Sequence, residues 1–286
     1  MALLALVIAI LIERYYHSNQ STTRDKLSSD NWYFSYSRLL KKTFGDKSWY
    51  RGWVRESVEV FIPTIAIFIL FKLFDDGFIA SLIVLALMVL ILVHAFGPQL
   101  PSKQLENFFK ALEDKDDPQA AYEYAKTYTG KEADTEEQMI KQVTDSIFYN
   151  VESQYFSVAI WFVFLGPAGA LLYRMLLWQE QEASLGNVGK KVLYFMEWVA
   201  CRVSALCYLL AGDMAHGIDK IKSEYFDLDV SGKKLLIDTA VASMGQRSTE
   251  NGVASENHCA ISLSQRSGVI LFAVIAIASL LGWTFV

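Results

Sequence analysis

The chain reads as an all-α, polytopic integral membrane protein with four to five membrane-embedded helices and a cytoplasmic helical layer. Two observations carry this reading. Of its 286 residues 53% are hydrophobic and only 20% charged, against about 45–50% and 25% in soluble domains. The excess is also concentrated: Phe78 to Phe96 runs 19 residues without a charge, Ser153 to Tyr173 runs 21 and Gly268 to Val286 runs 19. Each run meets the roughly 20 residues a helix needs to cross a bilayer core.

Other classes are excluded. Three cysteines with no CxxC pair give neither a disulfide framework nor a zinc site. A net charge of −5 gives no support to a nucleic-acid partner.

The segments follow in order. Ala2 to Ile12 is an apolar stretch with its charges, Glu13 and Arg14, behind it, the reverse of a signal peptide, so it is expected to be a retained, short or partly re-entrant first helix. Val58 to Phe74 carries Glu59 near one end and Lys72 near the other, where long side chains snorkel. Asp75, Asp76 and Gly77 then break the chain before the run 78–96. Residues 13–57 hold nine Lys/Arg, which places that loop in the cytoplasm. The Asp75-Asp76 turn then faces outside, residues 98–152 return to the cytoplasm, and 153–173 leads outward again. The stretch 192–212 contains Glu197 and Arg202. If it spans, residues 213–267 are cytoplasmic; if it is re-entrant or interfacial, that assignment flips.

Two soluble insertions, 98–152 and 213–245, read as helical. Gly97-Pro98 stops a helix, Asp117-Pro118 starts one, and Asp134 with Glu137 resembles a capping box. Residues 246–265 are rich in Ser, Asn, Gly and Glu and read as a polar linker. The whole chain is expected to form a single membrane domain.

Glu197 and Arg202 stand out because charge inside a membrane segment is costly unless paired or facing a polar cavity; the alternative is an interfacial helix with both charges in water. Arg174 with Trp178 reads as a snorkelling pair. Gly166, Pro167 and Gly169 in one segment predict a kink or close helix packing. Gly130-Lys131 and Gly189-Lys190 lack the earlier Gly and the following Ser/Thr of a P-loop. Four scattered histidines give no metal site, with only Glu256, His258 and Cys259 close together. No nucleophile elbow is present, and no cofactor is expected.

The tract Ala159-Ile-Trp-Phe-Val-Phe-Leu-Gly-Pro-Ala-Gly-Ala-Leu-Leu-Tyr-Arg174, with Asp145–Asn150 before it and Met196–Val203 after it, resembles the CobD/CbiB–AmpE superfamily of inner-membrane proteins. Length and layout resemble the AmpE branch over essentially the whole chain. The resemblance implies a multi-pass protein of the bacterial inner membrane, a regulatory signalling modulator linked to β-lactamase induction. The enzyme branch joins an aminoalcohol to a corrinoid carboxylate. Of its motifs Asn150, Tyr173-Arg174 and Arg202 remain, Glu180 stands where an Asp would be, and nothing in 213–267 resembles Ser-Pro-Asn-Ala-Gly.

The leading expectation is a sensor and modulator, more a binding protein than an enzyme. Asn150, Arg174, Glu180, Glu197 and Arg202 would line a polar cavity near the cytoplasmic face. The arginines would hold an anionic small molecule and the glutamates would orient them. Membrane lipid is the other expected contact. The alternatives are an ATP-dependent ligase of the adenosylcobinamide-phosphate-synthase kind, or a scaffold that binds a membrane protein partner through the Gly166/Gly169 face.

Overall fold

The computed structural model describes residues 2–19, 32–45, 47, 50, 52–73, 77–96, 101–113, 118–182, 184–245 and 253–282. Every regular element among them is helical. In chain order these are α1 (Ala2–Asn19), α2 (Trp32–Phe44), α3 (Trp53–Glu56), α4 (Ile62–Leu73), α5 (Phe78–Ala95), α6 (Pro101–Gln104) and α7 (Glu106–Glu113). There follow α8 (Pro118–Thr129), α9 (Glu136–Val151), α10 (Ser157–Gln181), α11 (Asn187–Ala211), α12 (Met214–Glu224), α13 (Gly232–Ser243) and α14 (Val253–Leu280). Two π-helical turns, Ser57–Phe61 and Glu152–Phe156, precede α4 and α10. By length and composition three helical stretches are long and apolar enough to cross a membrane: Glu136–Gln181, Asn187–Ala211 and Glu256–Leu280. Ala2–Glu13 and Ile79–Ala95 are shorter apolar helices. The chain is an all-α membrane protein.

The contacts divide the chain into two compact units. The first comprises Met1–Pro98, Ser157–Met196 and Ile275–Val286. Within it α1 packs on α5, and both α4 and α5 pack on α10. Ala2, Ala5, Leu6 and Ala9 of α1 are buried while Leu4, Val7 and Leu11 are exposed. A stripe of alanines at helical spacing lets a neighbour approach closely and leaves the leucines for lipid.

The fourth apolar segment departs most from expectation. Gly166 has φ 68° and ψ −162°, outside the helical region, and Pro167 follows it. Only glycine adopts that conformation readily, and the proline supplies no N–H to the preceding turn. A Cβ on Gly169 would lie 2.5 Å from the Trp161 carbonyl oxygen and 2.5 Å from the Leu165 Cβ. In a continuous helix residues 161 and 169 stand about 12 Å apart along the axis. The chain therefore doubles back at Gly166, and α10 is two arms, 157–165 and 167–181. The second arm runs antiparallel to the π turn and α4: Gln179 meets Glu59 at one end, while Pro167 and Ala168 share a cleft with Phe68 and Lys72 near the other.

The second unit comprises Gln99–Phe156 and Glu197–Val274. Here α9 packs on α8 and α13, α7 on α8, and α12 on α13. Phe148 meets Tyr208 edge-on at 5.2 Å, Phe156 lies 5.9 Å from the same ring, and the Tyr208 hydroxyl donates to Ser264. Thr144 donates to the Asn257 Oδ1 at 2.7 Å in a buried contact.

Two expectations shift in this unit. The polar stretch 246–265 is helical from Val253 onward. Asn257 is buried against Thr144, and His258 stacks on Phe109 with centroids 4.0 Å apart, so part of the polarity read as a linker faces protein. The cap of α9 is Thr135, whose hydroxyl accepts from the Gln138 N–H, while the Gln138 side chain accepts from the Asp134 N–H. The capping box thus closes one residue later than Asp134–Glu137. The Asp75-Asp76 turn, Gly97-Pro98, Asp117 and residues 246–252 lie outside the described residues.

Candidate functional site

In the first unit the apolar segment that begins near Val58 hides a carboxylate. Pro63 cannot donate to the Glu59 carbonyl, and the chain widens through Ser57–Phe61, with the Ile62 N–H reaching the Ser57 carbonyl. Such π turns recur at functional sites. Glu59 is 0% exposed. Its Oε1 accepts from the Tyr50 hydroxyl at 2.7 Å and from Arg55 Nε at 3.1 Å, and its Oε2 accepts from Gln179 Nε2 at 2.9 Å. The expected snorkelling of Glu59 is thus replaced by full burial, because donors from three parts of the chain substitute for water. Burial and the Glu59 hydrogen bond push the Tyr50 phenol up from its usual value, which keeps it a donor.

Glu56, three residues earlier and also buried, caps a different helix. Its Oε2 accepts from the Gly189 N–H at 3.0 Å, in the first turn of α11, where a negative charge meets the positive end of the helix dipole. A Cβ on Gly186 would fall on Glu56 Oε1. The Gly189-Lys190 pair that half resembled a phosphate loop thus gives its N–H to an internal carboxylate.

Arg174 and Glu180 belong to this unit. Arg174 is buried, with its guanidinium 5.2 Å from the Trp178 ring, and Trp178 stacks on Tyr33 at 5.5 Å. Glu180 is exposed, and its neighbour Gln179 is the residue turned into the nest. The Gly169 face that read as a docking stripe is filled by the chain's own Trp161.

Asn150, Glu197 and Arg202 belong to the second unit. The Tyr149 hydroxyl donates to Glu197 Oε1 at 3.0 Å, and Lys233 Nζ lies 3.5 Å from the centroid of the Tyr149 ring. Lys233 is exposed and Glu197 half-buried. Asn150 lies beside Tyr128, whose phenol is pushed up to about 12 by burial and drawn back by Asn150. The cation–π contact and the Tyr149–Glu197 hydrogen bond join these side chains in a polar group that opens on solvent at Lys233.

Arg202 is 3% exposed and its donors go to carbonyls: Nε to Tyr225, Nη1 to Trp198 at 3.2 Å, and Nη2 to Asp227 at 2.7 Å and Val230 at 3.3 Å. The guanidinium also lies 3.8 Å from the Trp198 ring. It ties the turn 225–230 to α11 just ahead of Ser231, the N-cap of α13.

Sequence reasoning missed Glu56, Tyr50, Gln179, Tyr149 and Lys233 as members of these groups. The available signal was Arg55, Glu56 and Glu59 within five residues ahead of a proline, three charges where one snorkelling side chain suffices.

A family model described as regulatory signalling modulator protein AmpE matches residues 1–285. No curated protein and no solved structure matches. Coverage of essentially the whole chain by one model, on an all-α membrane architecture, shows that the protein belongs to the AmpE family of regulatory signalling modulators.

Proposed function

We propose that this modulator sits in the bacterial inner membrane as a multi-pass protein and tunes β-lactamase induction by binding an anionic ligand at its cytoplasmic face. The observation that supports the ligand reading is Lys233, an exposed ammonium resting on Tyr149, whose hydroxyl holds Glu197 of α11. An anion that draws Lys233 off the ring changes the polarisation of the Tyr149 hydroxyl and the strength of its bond to Glu197. Asn150 stands one residue away as a further polar contact. Arg202 acts as a positioning residue, since it holds the turn that leads to Lys233. In the first unit Arg174, backed by Trp178, is the proposed anion-binding side chain and Glu180 its exposed neighbour.

The proposed orientation keeps residues 13–57 in the cytoplasm by their nine basic residues. The Glu59–Gln179 bond then brings residues near 179 to that side as well. The segment 153–173 is accordingly read as a hairpin with its apex at Gly166, in place of an outward crossing.

The test is thermal unfolding of the detergent-purified protein with an anhydro-muropeptide, with Mg-ATP plus cobinamide, and with buffer alone. A ligand that binds only the folded state stabilises it by about 2.7 kcal/mol at a hundredfold excess over Kd. The muropeptide is expected to raise the midpoint in the wild type and not in Lys233→Gln. A shift with ATP and cobinamide alone, or a muropeptide shift that survives Lys233→Gln, overturns the reading.

A further inference from the structure

The first unit contains a cleft of about 180 Å³ at the apex of the α10 hairpin. Phe68, Phe71, Val84, Met88 and Leu165 supply apolar walls, and Lys72 is the one charged side chain among the eight described residues that line it. The Lys72 ammonium lies 5.0 Å from the Phe68 ring centroid, which holds it at the cleft rim. Pro167 and Ala168 complete the lining. They open the second arm of α10, so the positive end of that half-helix points the same way as the lysine charge. Around the cleft Ile65, Ile69, Ile83 and Phe164 are exposed, an apolar surround that lipid tails cover.

We propose that this cleft is a binding site for an anionic phospholipid. One acyl chain lies along Phe68, Phe71, Val84 and Met88, and the phosphate pairs with Lys72. An apolar groove with, among the described residues, a single cation at its rim and no carboxylate in its lining complements a tail with a negative head. It offers nothing to the ammonium of a zwitterionic head, which Lys72 repels. The site stands on the first unit alone and does not depend on Lys233.

The test measures the thermal midpoint of the detergent-purified full chain after adding phosphatidylglycerol, phosphatidylcholine of the same chains, or glycerol phosphate. Phosphatidylglycerol is expected to raise the midpoint above the phosphatidylcholine value, and glycerol phosphate to leave it unchanged. Lys72→Gln should erase the difference between the two lipids while Lys72→Arg keeps it. Val84→Trp, which fills the cleft from its half-buried wall, should abolish the response to phosphatidylglycerol while the lipid-free midpoint stays near the wild-type value. Equal shifts with the two lipids, a preference that survives Lys72→Gln, or a full shift with glycerol phosphate each overturns the proposal.

Discussion

The nest around Glu59 in the first unit and the Tyr149–Glu197–Lys233 group in the second are both polar sites in apolar helices, but they are built to opposite ends. Glu59 has no exposed surface and takes donors from Tyr50, Arg55 and Gln179. Glu197 is half-buried and accepts from Tyr149, and the nearby Lys233 is exposed. A buried charge is tolerable only when its bonds are complete, and complete bonds leave no capacity for a ligand. A group that opens on solvent keeps part of its hydration, so it costs less to keep and can respond. The first arrangement welds structure, and the second is the one proposed to sense.

The strongest way to break this contrast is Glu59→Ala, which removes the acceptor of buried Tyr50 and Gln179 and of half-buried Arg55 at once. It is expected to cost about 3–5 kcal/mol and to remove most folded protein from detergent extracts, as size-exclusion chromatography would show. Normal yield and midpoint would mean the nest holds nothing together. Gly186→Ala comes next at about 1–3 kcal/mol, because its Cβ falls on Glu56 Oε1. The double variant with Glu56→Ala should recover part of the lost midpoint, and a double variant that adds the two losses in full would show that the clash is not the cause.

Arg202→Lys sharpens the contrast within the second unit, since one ammonium cannot reproduce a fork that serves four carbonyls. The expected loss is about 1–3 kcal/mol, with faster proteolysis confined to residues 225–231. An unchanged cleavage pattern would argue against the clamp. The smallest effect is at Asp213, the N-cap of α12, whose carboxyl is held below its usual value first by the His216 side-chain hydrogen bond and then by the backbone N–H groups. A depressed folded value means that the cap's stabilisation is present above the unfolded value near 3.9 and is lost as pH falls through the folded value. Amide exchange at Ala215 and His216 should therefore accelerate only below about pH 4, and Asp213→Ala should show no such step.

The fold class was legible because long charge-free runs leave few options but membrane helices. The doubling of α10 was not. Gly166-Pro167 announced a bend, but the angle depends on φ at Gly166 and on how closely Trp161 approaches Gly169, which periodicity does not encode. At the sites Arg174, Glu197 and Arg202 stood out as charges among apolar residues. Adjacent helical residues point about 100° apart, so Gln179 reaches Glu59 while Glu180 is exposed. Glu59 reads as a snorkelling end residue because its donor Gln179 lies 120 residues away in sequence. Asn257 looked like linker because a buried polar group resembles an exposed one until its partner, Thr144, is known.

The most direct test of the sensing claim is β-lactamase induction in cells that carry Lys233→Gln or Tyr149→Phe, with the amount of the protein in the membrane quantified alongside. Altered induction at wild-type protein levels is expected for both variants. Induction that follows protein amount alone, with neither variant differing from wild type at matched levels, would contradict it.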